Sequence, residues 1–201
     1  MPWRFCRIVA QLTKHKQSMN NLIQMLLSIK NPANHFIERP ELIRGYTEDE
    51  IKQIEQKYNF PVHGQFKELL MTMGKCSGGL LLSDDIYIYR EGYANHHLDG
   101  YVRDSIQHDK DYEYFMQSIG NVNLTEKRFF IFAGINEHIV QYFMFASDGN
   151  DIVYEWDENE ETVKEFGTLF DFLKYYRKIT TSQITGEENN DFKELTTGKL
   201  L

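Results

Sequence analysis

Cysteine is nearly absent from this sequence: Cys6 and Cys76 are the only two in 201 residues. Two thiols so far apart, one beside a terminus, make no disulfide framework, and a chain of this length buries enough surface to fold without staples. Free thiols fit a reducing compartment, so a cytoplasmic protein is expected. Long apolar runs are missing as well. No stretch approaches the ~18 residues that a membrane helix needs. Ile8–Val9–Ala10, after Arg4 and Arg7, is too short for the core of a signal peptide. Neither export by that route nor membrane contact is expected.

Positive charge is scarce in the body of the chain. The formal net charge is −8, and residues 1–18 hold Arg4, Arg7, Lys14 and Lys16 with no acid, which leaves −12 on the remainder. A body this acidic repels nucleic-acid phosphates and attracts basic partners. Met19 opens an amphipathic stretch, and translation is expected to start there, which would leave the basic segment outside the native product. Aromatics, in contrast, are plentiful: fourteen Phe and twelve Tyr imply a packed core and exclude disorder for most of the chain.

The hydrophobic period changes along the sequence. Leu22, Met25, Leu26 and Ile29 recur at helical spacing up to Asn31–Pro32. Thr47 and Glu50 form a capping box ahead of a helix lined by Ile51, Ile54 and Tyr58. Phe60–Pro61 breaks it, and Phe66, Leu69, Leu70 and Met73 line a second helix ended by Gly74. Leu80–Leu81–Leu82 and Ile86–Tyr87–Ile88–Tyr89 read as strands after Gly78–Gly79. Residues 93–109 are polar and irregular, and Tyr112, Phe115, Met116 and Ile119 restore a helical stripe. Phe129–Ala133, Ile139–Ala146 and Ile152–Trp156 are three β-rich runs, the last two joined by the hairpin signal Asp148–Gly149. Thr168 with Asp171 caps a closing helix faced by Leu169, Phe172, Leu173 and Tyr176, whose Lys174, Arg177 and Lys178 complement its dipole. This order implies an α+β fold: an N-terminal helical hairpin, a central antiparallel sheet and a closing C-terminal helix. The organisation expected is an arm over 1–44 with one helix, a domain over 45–178 and a flexible tail over 179–201, in which Phe192 and Leu195 are the residues able to dock.

Four arrangements with a chemical look fail on spacing. His96–His97 with Asp99 and His108 lacks the i, i+4 spacing of helical metal ligands, and adjacent loop histidines point apart. Gly74–Lys75–Cys76–Ser77 follows a helix instead of opening one, and Leu69 stands where a phosphate loop needs glycine. Cys76 has no histidine placed beside it by the sequence. Asp148–Gly149–Asn150–Asp151 lacks the alternating ligands and distal glutamate of a calcium loop. No enzyme, no metal and no cofactor is therefore expected.

An acidic run is what remains. Eight carboxylates (Asp148, Asp151, Glu155, Asp157, Glu158, Glu160, Glu161 and Glu165) face only Lys164, with Tyr154 and Trp156 among them. It reads either as a solvated hairpin edge or as a patch that meets a basic surface. Strand alternation puts Tyr154 and Trp156 on one face and Glu155 on the other. Asp84 and Asp85, with Tyr87 and Tyr89, make a second candidate patch. The candidate partner-binding residues are thus Asp84, Asp85, Asp148, Asp151, Glu155, Trp156, Asp157 and Glu158.

Several segments together resemble the SUKH superfamily. They are Thr47–Glu48–Asp49–Glu50–Ile51 to Tyr58, Phe60–Pro61, Phe66–Lys67–Glu68–Leu69–Leu70, Gly78–Gly79, Ile152–Val153–Tyr154–Glu155–Trp156 and Phe170–Asp171–Phe172–Leu173. One departure is that Phe66 stands later after Pro61 than the family's usual aromatic. The resemblance implies a binding role: bacterial members are read as immunity proteins that neutralise polymorphic toxins, often nucleases, and eukaryotic members as scaffolds in cell-wall synthesis signalling. The expected partner is a basic toxin domain, bound without direct nucleic-acid contact. An intracellular scaffold or adaptor using the same surface is the alternative.

Overall fold

Capped helices lead into the sheet. The computed structural model describes residues 21–90, 129–136, 139–145, 149–157, 159–160, 162–183 and 189–201. Residues 21–27 form helix α1, Glu48–Tyr58 form α2 and Gly64–Met73 form α3. Thr47 starts α2 by the expected capping box: its hydroxyl accepts the Glu50 amide, and the Glu50 carboxylate accepts the Thr47 amide at 2.8 Å. Two amides with no helical acceptor are thereby satisfied. Ile51, Ile54 and Tyr58 of α2 and Phe66, Leu69, Leu70 and Met73 of α3 are buried, as their spacing predicts.

Four strands follow: β1 (Phe129–Ile135), β2 (Val140–Phe145), β3 (Ile152–Asp157) and β4 (Thr162–Thr168). They form one antiparallel sheet in the order β1-β2-β3-β4, with Ile131 opposite Phe143, Phe143 opposite Tyr154 and Tyr154 opposite Glu165. Helix α4 (Leu169–Ile179) then packs back on the sheet, its first turn held by the Thr168–Asp171 capping box. Phe172 of α4 meets Phe132, Tyr142 and Phe166 at ring separations of 5.1, 4.4 and 5.9 Å. Phe130 on the same face meets Phe60 and Phe66 at 4.5 and 4.8 Å. Each such pair adds about 0.5–1.5 kcal/mol beyond the area it buries. The opposite face carries a second ring cluster, Phe129, Phe143, Phe145 and Tyr154. The α+β architecture and the placing of a closing helix after the sheet are as expected.

Some expectations give way. Leu80–Leu82 and Ile86–Tyr89 are not strands: Tyr87–Tyr89 is a 3-10 turn, and among the described residues this stretch pairs with the sheet at the single Ile86–Ala133 bridge. All seven side chains are buried, so this stretch has no in-out alternation, and a fully buried run carries no period to separate strand from turn. The amides of Asp85 and Ile86 both find the Leu82 carbonyl, which closes the backbone locally. β4 is a strand the sequence pattern hides. Arg177 is no surface cation at a helix end; it is 3% exposed and donates to the carbonyls of Leu26, Ile29 and Leu80 and to Glu38 at 2.5 Å.

Residues 179–201 do not form a loose tail throughout. Helix α5 (Asn189–Thr196) seats Phe192 on Phe36, with ring centroids 5.9 Å apart and planes 15° off parallel. The chain end then threads past α3. The Gly198 and Lys199 amides donate to the Lys75 and Ile88 carbonyls, and the buried Leu200 offers its carbonyl to Tyr58 Oη at 2.8 Å. A Cβ at Gly198 would stand 1.8 Å from the Gly74 carbonyl oxygen, so only glycine passes there. The 93–109 segment, the stripe at 112–119 and the His96–His97–Asp99–His108 group lie outside the described residues.

Candidate protein-binding surface

Strands β3 and β4 bring the acidic run together as a hairpin at one edge of the sheet. Asp148, Glu158 and Glu161 lie outside the described residues. Of the acids described, Asp151 looks inward: its Oδ1 accepts the Gln65 amide at 2.7 Å at the start of α3, and its carbonyl accepts the Leu169 amide at the start of α4. Asp151 therefore belongs to the frame of the fold. Glu155 accepts the Tyr142 hydroxyl at 2.9 Å and lies opposite Lys164. Burial, together with the hydrogen bond and charge of Glu155, pushes the Tyr142 phenol well up. That bond fixes Glu155 on the α4 side of the sheet.

The outward part of the hairpin is smaller than the sequence implies. Asp157 Oδ1 accepts the amides of Asn159 and Glu160 at 2.9 and 3.2 Å, which builds the β3–β4 turn with a carboxylate left at the surface. Glu160 pairs with Lys164 at 3.0 Å, both well exposed. Glu165 is exposed beside Tyr154 across the strand pair. Trp156 is half-buried between Gln141 and Val163 in the register, on the Tyr154 face. Neither aromatic is fully core, so both leave ring area at the hairpin surface.

The second patch dissolves in part. Tyr87 and Tyr89 are buried, and Tyr89 donates to the Met73 carbonyl at 2.9 Å. Burial raises the Asp85 carboxyl to about 6, against the stabilising Tyr176 hydroxyl and with the Asp84 charge adding to the rise. Only Asp84 is exposed. The Asp85 carbonyl accepts the Gly134 amide of β1, so this patch sits at the β1 edge, opposite the hairpin. The structure does not join the two patches.

Glu165 and Lys164 are the residues missed as parts of a strand, since their signal, Thr162–Val163 followed by alternation, is broken by Gly167. A cavity of about 430 Å³ between α1 and α4 also escaped sequence reading, with Lys30, Asn31, Glu38 and Arg177 on its walls. Among the described residues no three His, Cys, Asp or Glu side chains are grouped to hold a metal ion. Cys76 sits 3.9 Å from Thr196 Oγ1, in a bridge between residues 44 and 197. No described helix is long and apolar enough to cross a membrane.

Residues 48–173, well over half of the chain, match the SUKH_6 family model, described as SMI1-KNR4 cell-wall. The chain belongs to the SMI1-KNR4 family. The match runs from the first residue of α2 to the middle of α4, so the SMI1-KNR4 unit comprises the helical hairpin, the whole sheet and the acidic β3–β4 hairpin. No curated protein and no solved structure matches the chain.

Proposed function

We propose that this SMI1-KNR4 protein is a non-catalytic, immunity-type binder that occludes a basic protein partner, a toxin domain of nuclease type, in the cytoplasm. The observation that carries the reading is the β3–β4 hairpin: exposed Glu160 and Glu165 and the half-buried Asp157 beside the half-buried rings of Tyr154 and Trp156, inside the family-matched segment. Exposed carboxylates raise the rate of encounter with a cationic nucleic-acid cleft, and partly buried rings supply area that is desolvated on docking. Repulsion from phosphate keeps the surface off nucleic acid itself. Inhibition would be steric: a cleft filled by this hairpin admits no substrate.

Co-purification from the native host, with full-length tagged chain as bait, tests the reading. The expected catch is a protein basic at the docking face and lost when Asp157, Glu160 and Glu165 are all changed to Lys. A catch retained by that variant would overturn it. The family's cell-wall description favours a second reading, a regulatory scaffold. A catch of cell-wall signalling components in place of a toxin would select it.

A further inference from the structure

The two edges of the sheet are treated differently. β1 is covered at its middle, where Ile86 bridges Ala133 and the Asp85 carbonyl takes the Gly134 amide. β4 is the other edge, and among the described residues only β3 shares backbone hydrogen bonds with residues 162–167. Alternate amides and carbonyls of β4 therefore point outward with no strand partner among the described residues, and such a row is a template for strand addition. The register shift between Val153 and Tyr154 leaves Phe166 as the extra residue, turned onto Phe172 and Tyr175 of α4. The regular part of the edge is thus Thr162–Glu165.

A second copy of this chain suits that edge poorly in the registers centred on its charged residues. Two-fold pairing of β4 with itself keeps each sheet face continuous, so the residue on the axis meets its own copy. Centring on Lys164 or on Glu165 then places like charges directly opposite, which is destabilising. A strand of other composition has no such conflict. The sequence from Asp151 to Glu165 contains seven carboxylates and one lysine, and that lysine is already paired with Glu160. The electrostatic demand on an added strand is for positive charge.

We infer that the Thr162–Glu165 edge of β4 accepts an extended basic segment of the partner as a fifth strand, with a Lys or Arg side chain opposite Glu165 on the Tyr154 face. This rests on the proposed binding of a basic partner and specifies its mode. Backbone bonds would supply register, and the hairpin acids would supply sign selectivity.

The test uses hydrogen exchange on the full-length chain, probed with a synthetic peptide of alternating Lys and Val. The expected result is slowed exchange of outward amides within 162–165, lost with the same peptide N-methylated at alternate residues. Glu165→Lys should weaken the parent peptide by about tenfold. Equal binding of both peptides, or binding without protection of 162–165, would overturn strand addition. So would no binding of the parent peptide by a correctly folded chain. The same exchange measurement on the co-purified complex separates the two ideas. A basic partner bound with β4 still unprotected leaves the proposed function standing and removes this mode, whereas absence of any basic partner removes the function itself.

Discussion

Gln65 and Asp151 cap two helices between them: the Gln65 amide donates to Asp151 Oδ1 at 2.7 Å, and Gln65 Oε1 accepts the Phe170 amide at 2.8 Å. The first bond closes the N-terminus of α3 from the sheet, and the second closes the N-terminus of α4 from α3. Gly64, at φ +54°, makes room, because a Cβ there would stand 2.0 Å from Asp151 Oδ1. An acid that the sequence offers as part of a binding patch is in this way committed to holding the helical layer on the hairpin.

Asp151→Ala is expected to lower stability by about 1–2 kcal/mol, the usual cost of a lost cap, read as a shift in the urea midpoint. Partner binding by the folded variant should be unchanged. A binding loss without a stability loss would return Asp151 to the interface.

Arg177→Ala should cost about 3–5 kcal/mol, because it strands Glu38 and three carbonyls that this guanidinium serves from inside the protein. Arg177→Lys is expected to recover little of this, since one ammonium cannot serve the Leu26, Ile29 and Leu80 carbonyls and Glu38 together. Full rescue by lysine, in chemical denaturation, would contradict the assignment.

Leu200→Ala is expected to cost about 2–4 kcal/mol as a buried aliphatic truncation. Limited proteolysis should then cut the chain end first. A wild-type denaturation midpoint would mean that the C-terminal segment is not part of the core.

Stability carries a pH signature at Asp85. Its carboxyl lies near 6 in the fold, above its usual value of about 4, so the folded chain holds the proton more tightly than the unfolded one. Stability attributable to this group is therefore full below about pH 4 and falls as pH rises through 6. Asp171, held down to about 2 chiefly by Lys174 and Thr168, acts in the opposite sense, and its contribution is lost only as pH falls below about 4. Asp85→Asn keeps an acceptor for Tyr176 and removes the titration. It should stabilise the protein at pH 7.5 and change little at pH 4. An equal effect at both values would contradict the shift.

Local chemistry is what the sequence displays well. Both capping boxes are legible because Thr47 and Glu50, or Thr168 and Asp171, are three residues apart. Strands β1 to β3 are legible because their runs are β-branched and aromatic between turn residues. The misreadings concern partners distant in sequence. Asp151 finds its amide 86 residues away, and Arg177 finds Glu38 139 residues away, so nothing beside either residue signals its role. β4 is hidden because Lys164, Glu165 and Gly167 interrupt the alternation that marks a half-buried strand. The hairpin could be named as the acidic place, but not which acids look outward, since that depends on the turn bonds of Asp157 and on the Tyr142–Glu155 bond.

The association rate of the co-purified partner, measured against salt for the wild type and for the Asp157→Lys, Glu160→Lys, Glu165→Lys variant, tests the central claim most directly. Steering by the β3–β4 hairpin predicts a wild-type rate that falls about tenfold or more from low to high salt, and a variant rate that is low at all salt concentrations. A wild-type rate indifferent to salt, or a variant that associates as fast as wild type, would contradict it.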